Sequence, residues 1–221
     1  AVERSRPVAN FIARLGRIRV TEQVVGYEKR NVYSGELLDR LSLDLPPQSF
    51  ETVGLWLEIE DILQEMVLRR RLHFMGGIHA LEHALISMFP LFALCDRNDI
   101  GGIAVPLHPE MQKSAVFIYD GYPGGVGLAA RGFEMIEELL VKAGELIGRC
   151  PCDSGCPSCI HSPKCGAGNK PLDKTAALLL VKGLLGEVPL KVESRKQGED
   201  FVAVPEEDVE KNNSSDPAVG L

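Results

Sequence analysis

Five of the six cysteines fall within sixteen residues, in the run Cys150-Pro151-Cys152-Asp153-Ser154-Gly155-Cys156-Pro157-Ser158-Cys159 followed by Cys165. The spacing C-x-C-x3-C-x2-C-x5-C is that of metal ligands. Four thiolates about 2.3 Å from one tetrahedral Zn2+ need short turns to converge, and Pro151, Gly155 and Pro157 supply them. The expected ligands are Cys150, Cys152, Cys156 and Cys159, with Cys165 as an alternative. Four thiolates leave no open coordination position, so the metal is expected to be structural. A disulfide framework fits poorly, because the cluster is odd-numbered and a chain of 221 residues needs no staples. A redox pair at Cys156 and Cys159 would not bring three further cysteines with it.

A second constellation is His79-Ala80-Leu81-Glu82-His83, an H-x-x-E-H pattern. In inverted zinc proteases such a pattern puts two metal-binding histidines one helical turn apart, beside a glutamate base. A third ligand is also required, and nothing in the spacing selects among Asp96, Asp99 and Asp120. The plainer expectation is a hydrogen-bonded polar seam on a packed helix, with Ile78, Leu81, Leu85 and Met88 forming the apolar stripe beside it. The stretch Asp120-Gly121-Tyr122-Pro123-Gly124-Gly125-Val126-Gly127 could cradle a phosphate at a helix N-terminus. It lacks the Gly-Lys-Ser/Thr ending of a P-loop, so a tight strand-to-helix turn is the simpler reading. Arg69, Arg70 and Arg71, with Arg149, Lys164, Lys170 and Lys174, are candidate phosphate contacts.

These residues need elements to hold them. Residues 10–58 alternate as short strands, among them 41–45 and 52–59, and suggest a small curled antiparallel sheet or barrel. Helices are expected over 62–71 and 78–89, with Met75-Gly76-Gly77 between them. Strands at 103–105 and 114–119 precede a single long helix over 128–147. Asp173 reads as the N-cap of a last helix ending at Leu185. The intervening aperiodic stretch of about twenty-five residues is long for a compact domain, and a bound zinc can take the place of the core it lacks. The expected class is therefore α/β (α+β), with a small β-rich subdomain over 1–54, an α/β zinc-binding domain over 55–190 and an acidic, disordered tail over 191–221.

The net charge is −7, but residues 192–221 alone hold eight acids against three bases. The remainder is nearly neutral, which leaves room for a local basic patch. With no apolar run near eighteen residues, and with clustered reduced thiols, the expected setting is cytoplasmic, away from membranes. The sequence starts Ala-Val-Glu-Arg with no targeting segment and is expected to be a fragment of a longer protein.

Four segments in order carry a family resemblance: Gly77–Pro90, Cys95–Gly102, Tyr119–Ala129, and Cys150 through Lys174. Together they resemble the C-terminal zinc-binding domain of MrfA-type DNA helicases, superfamily-two enzymes related to the DEAD/DEAH-box group. The resemblance implies a parent chain whose two RecA-like motor domains bind ATP and Mg2+, translocate 3′-to-5′ on DNA and act in DNA repair. It implies that Cys150, Cys152, Cys156 and Cys159 hold the zinc, and that the motor domains and single-stranded or duplex DNA are the partners. The sequence contains neither a Walker A lysine loop nor a DEAH box, so no activity is expected from this segment alone. The alternatives are a metal-dependent hydrolase built on the H-x-x-E-H helix and a protein-docking platform that does not touch DNA.

Overall fold

The computed structural model describes residues 1–190. The acidic tail expected over 191–221 lies outside them. The fold combines helices with antiparallel sheet. Its strands are β1 (Val2–Val8), β2 (Phe11–Glu22), β3 (Gly26–Arg30), β4 (Leu37–Ser42), β5 (Gln48–Ile59), β6 (Ile100–Val105) and β7 (Ser114–Asp120). The helices are α1 (Asp61–Arg69), α2 (Phe74–Met88), α3 (Leu128–Glu134), α4 (Ile136–Arg149) and α5 (Lys174–Leu184).

Five strands form one sheet in the order β1-β2-β5-β7-β6, and β3 and β4 form a separate hairpin. The seam between β2 and β5 runs without a register shift from Phe11↔Ile59 to Glu22↔Gln48. Side chains alternate across a strand. Phe11, Ala13 and Leu15 of β2 therefore share the buried face with Leu55, Leu57 and Ile59 of β5 and with Val116 and Ile118 of β7. On the other face Trp56 and Phe117 stack at 5.6 Å and pack with Ala115. The boundary expected at residue 54 falls inside β5, which pairs with β2 on one side and with β7 on the other. No barrel closes among the described residues, since β3 and β4 pair only with each other while β1, β2 and β5 join the larger sheet.

The helices cover the Leu55–Ile59 face. Helix α2 is buried along most of its length and lies against α4, α5, β6 and β7. It begins earlier than its periodicity suggests, because His73 caps it by accepting from the Gly76 N–H through Nδ1 at 2.9 Å. Gly76 and Gly77 then become first-turn residues, and they let α5 approach closely. A Cβ on Gly77 would lie 2.8 Å from the Ala176 Cβ. The single helix expected over 128–147 is interrupted at Met135 (φ −106°, ψ 16°), giving α3 and α4.

Asp173 does cap α5, accepting from the Ala176 N–H at 2.8 Å. The same carboxylate accepts from the His73 N–H at 2.8 Å, and the Asp173 N–H returns to the Gly76 carbonyl at 3.0 Å. The ends of α2 and α5 are thus joined through one residue, and the loop 150–173 is the chain that closes between α4 and α5.

Candidate metal centre

The four cysteines expected to act together do converge. Cys150, Cys152, Cys156 and Cys159 place their Sγ atoms within 4.8 Å of one another. Cys150 lies 3.5 Å from both Cys152 and Cys156, Cys152 lies 3.5 Å from Cys159, and Cys156 lies 3.8 Å from Cys159. A tetrahedron with metal–sulfur bonds of about 2.3 Å has edges of about 3.8 Å. These four sulfurs therefore already outline a zinc-sized cage.

Local sequence explains the convergence. Gly155 adopts φ +119°, a region that L side chains rarely enter, and turns the chain back between Cys152 and Cys156. The Cys159 and Ile160 N–H groups then donate to the Cys156 carbonyl at 3.0 and 3.2 Å. The Cys156 N–H donates to the Cys159 sulfur at 3.3 Å, which neutralises part of a thiolate's charge.

Lys174, in the first turn of α5, reaches back into the cage. Its Nζ donates to the Cys150 carbonyl at 2.7 Å, to the Cys152 carbonyl, and to the Cys152 sulfur at 3.4 Å. Burial opposes ionisation of Cys152, but hydrogen bonds from Cys159, Cys150, Cys156 and Lys174 outweigh it and bring the thiol down to about 7. Burial pushes the Cys159 thiol up to about 12. A thiolate at Cys152 would thus be held by hydrogen bonds from neighbouring S–H groups and from the Lys174 ammonium. A divalent ion replaces those protons with its own charge.

Cys165 stands apart from this cage. It sits in a small loop closed by Asn169, which accepts from the Ser162 N–H at 2.7 Å and donates to the Ser162 carbonyl at 3.0 Å. Its sulfur lies 3.4 Å from His79 Nε2, so as an alternative ligand for the four-cysteine cage it is badly placed.

The H-x-x-E-H residues form a hydrogen-bonded polar seam, each imidazole held through its Nδ1. His79 Nδ1 meets the Pro171 carbonyl at 2.9 Å and His83 Nδ1 meets the Ile160 carbonyl at 2.7 Å. Burial holds the His83 imidazole below its ordinary pKa. Burial also pushes Glu82 up to about 7, although its carboxylate accepts a hydrogen bond from the Ala104 backbone N–H in β6.

The glycine loop does not present free N–H groups to an external anion. Asp120, fully buried at the end of β7, turns its own carboxylate into that position. Its Oδ2 accepts from Val126, Gly127 and Leu128 at 2.5, 2.7 and 3.3 Å, and its Oδ1 accepts from Ala129 at 2.6 Å. Gly124, Gly125 and Gly127 all have positive φ and make the tight turn possible. An acidic residue closing a strand directly before such a loop was the signal available in the sequence.

The candidate cations stand on several elements of the fold. Arg69 pairs with Glu65 at 2.8 Å, Arg70 caps α1, and Arg71 follows with φ 55°. Arg149 pairs with Glu145 at 3.8 Å. Lys164 donates to the carbonyls of Arg97 and Ile100 at 2.9 and 3.1 Å. Lys164 and Lys170 both line a cleft of about 860 Å3 that also contains His79, Glu82, His83 and Cys165, and Arg69, Arg70 and Arg71 are not among its walls. No helix among the described residues is long and apolar enough to cross a membrane.

Residues 81–160 match the MrfA Zn-binding domain family, a span that contains all four caged cysteines. An uncharacterized protein of Methanocaldococcus jannaschii is 41% identical over 111 residues, covering 49% of this chain and 99% of its own length. The ATP-dependent helicase hrq1 of Schizosaccharomyces pombe is 31% identical over 185 residues, covering 77% of this chain and 17% of the helicase. Among solved structures, the DUF1998 helicase MrfA bound to DNA is 26% identical with a TM-score of 0.54, covering 82% of this chain and 23% of MrfA. The chain thus spans less than a quarter of the length of either helicase. With its four cysteines in the matched segment and its fold shared with a solved helicase, the chain belongs to the family of MrfA-type zinc-binding domains.

Proposed function

We propose that this chain is the structural zinc-binding accessory module of an ATP-dependent, 3′-to-5′ DNA helicase that acts in DNA repair in the cytoplasm. Cys150, Cys152, Cys156 and Cys159 hold one Zn2+ whose role is to fix the loop between α4 and α5. ATP and Mg2+ belong to motor domains of the same parent chain, which this module helps to organise while it guides a DNA strand. Lys164 and Lys170 at the cleft, and Arg69, Arg70 and Arg71 at the end of α1, are the phosphate contacts of this reading.

The observation that carries the proposal is the convergence of the four sulfurs within 4.8 Å, with four of their separations at 3.5–3.8 Å, close to the edge of a zinc–thiolate tetrahedron. The small share of the helicases' length that the chain covers supports an accessory role. The test is zinc content and thermal stability of the wild-type chain and of Cys156→Ser/Cys159→Ser, purified under reducing conditions. The variant should lose the zinc of the cage and unfold at a lower temperature. Unchanged metal content and stability would refute the structural site. Fluorescence anisotropy with a labelled oligonucleotide tests the DNA role: Arg70→Glu/Arg71→Glu/Lys170→Glu should weaken binding and flatten its salt dependence. A wild-type chain that binds no DNA at moderate salt would favour the protein-docking alternative.

A further inference from the structure

A second group of metal-ligating side chains lies outside the four-cysteine cage. His79, His83 and Cys165 bring one ligand atom each to within 4.8 Å of one another. His79 and Cys165 both fall outside the matched segment 81–160. His79 and His83 are one turn apart on α2, so they project from the same face. Their rings lie 4.5 Å apart between centroids.

The tautomers are set by the backbone. A carbonyl oxygen can only accept, so the contacts of His79 Nδ1 with Pro171 and of His83 Nδ1 with Ile160 put the proton on Nδ1 in both rings. A ring in that tautomer keeps a lone pair on Nε2, and a ligating histidine typically donates its other N–H to a carbonyl in this way. The thiol is held as well. Asn169 donates its backbone N–H to the Cys165 sulfur at 3.2 Å, and the Asn169–Ser162 hydrogen bonds close the loop around it.

One separation has the size a metal requires. With Zn–N of about 2.0–2.1 Å and Zn–S of about 2.3 Å, a tetrahedral N···S edge is about 3.5 Å. His79 Nε2 and Cys165 Sγ are 3.4 Å apart. Glu82 is engaged with the Ala104 N–H and does not belong to the ligand group. The three ligands line the cleft that also contains Lys164 and Lys170.

We propose that His79, His83 and Cys165 form a second zinc site, with two imidazole nitrogens, one thiolate and a water in the open position. The donor set is borderline in softness, which suits Zn2+ better than Mg2+ or Ca2+. The site fastens the 161–171 loop to α2. It also shares a stretch of chain with the first site: Cys159 is a thiol of the cage, and the next residue, Ile160, orients His83.

The test uses the full chain freed of metal under reducing conditions and titrated with Co2+, whose thiolate charge-transfer absorption counts the sulfurs at each site. Two equivalents are expected, the first with the intense absorption of four thiolates and the second with that of a single thiolate. Cys165→Ser should weaken the second phase at least tenfold and leave the first intact. His83→Gln should do the same, and circular dichroism confirms that each variant is folded. Cys156→Ser/Cys159→Ser should remove the four-thiolate phase, so the failure of either site is seen separately. A titration that ends at one equivalent, or a second phase that lacks thiolate absorption or survives Cys165→Ser, overturns the proposal.

Discussion

Replacing Asp120 should be among the most damaging single changes in the chain, although the residue touches neither candidate metal site. Its carboxylate is fully buried and accepts four backbone N–H groups from Val126, Gly127, Leu128 and Ala129. A hydrogen bond to a charged group contributes about 1.5–3 kcal/mol, and a buried donor left unpaired costs about 1–3 kcal/mol. In Asp120→Asn the amide oxygen can serve one side of the network, while the amide nitrogen turns a donor toward donors on the other. Losing the charge and at least one bond should cost about 3 kcal/mol. Asp120→Ala leaves all four groups unpaired and should cost about 4–5 kcal/mol, since the terms are not additive. For a domain of this size about 3 kcal/mol lowers Tm by about 6–12 °C. Urea unfolding followed by circular dichroism, with zinc held constant, gives the comparison. Added formate should restore part of the stability of Asp120→Ala, because it can re-enter the vacated carboxylate position, and should leave the wild type unchanged. An Asp120→Asn chain within about 1 kcal/mol of wild type would refute the reasoning, since the network would then carry no more than an ordinary neutral turn.

Lys174→Met should keep the fold and loosen the cage, lowering zinc affinity about 10–100-fold in a chelator competition, as loss of a group that supports metal ligands typically does. Gly77→Ala forces a methyl to within 2.8 Å of the Ala176 Cβ and should destabilise the chain by about 1–3 kcal/mol in denaturant unfolding. Burial, with Glu22 nearby, pushes the Tyr119 phenol up to about 12 from 10.0. A folded pKa above the unfolded one means its contribution is complete below pH 10 and is lost as pH rises toward 12. Tyr119→Phe should therefore show a shallower loss of stability than wild type across that window.

The cage was legible because its information is local. Cys150 to Cys159 span ten residues, and turn chemistry at Pro151, Gly155 and Pro157 decides whether their sulfurs meet. Helix α5 and its Asp173 cap were legible for the same reason. The extent of the first sheet was not, since nothing in residues 1–54 reveals that β5 will take β7, some sixty residues later, as its second neighbour. The start of α2 was obscured by Gly76 and Gly77, which read as a break but serve the approach of α5. The glycine loop looked like an anion site because its donors are real, while the acceptor that fills them stands one strand-end earlier. Cys165 could not be assigned by spacing, because its neighbour His79 lies 86 residues away.

The double role of Asp173 bears on how the molecule assembles. Its two carboxylate oxygens serve amides far apart in the chain, His73 at the start of α2, a hundred residues before it, and Ala176 at the start of α5. Neither local propensity nor either helix alone can form this junction, because it exists only once the intervening chain has closed on itself. The first turns of α2 and α5 are therefore gained and lost in a single step, and amide exchange should find His73 and Ala176 opening together as parts of one cooperative unit.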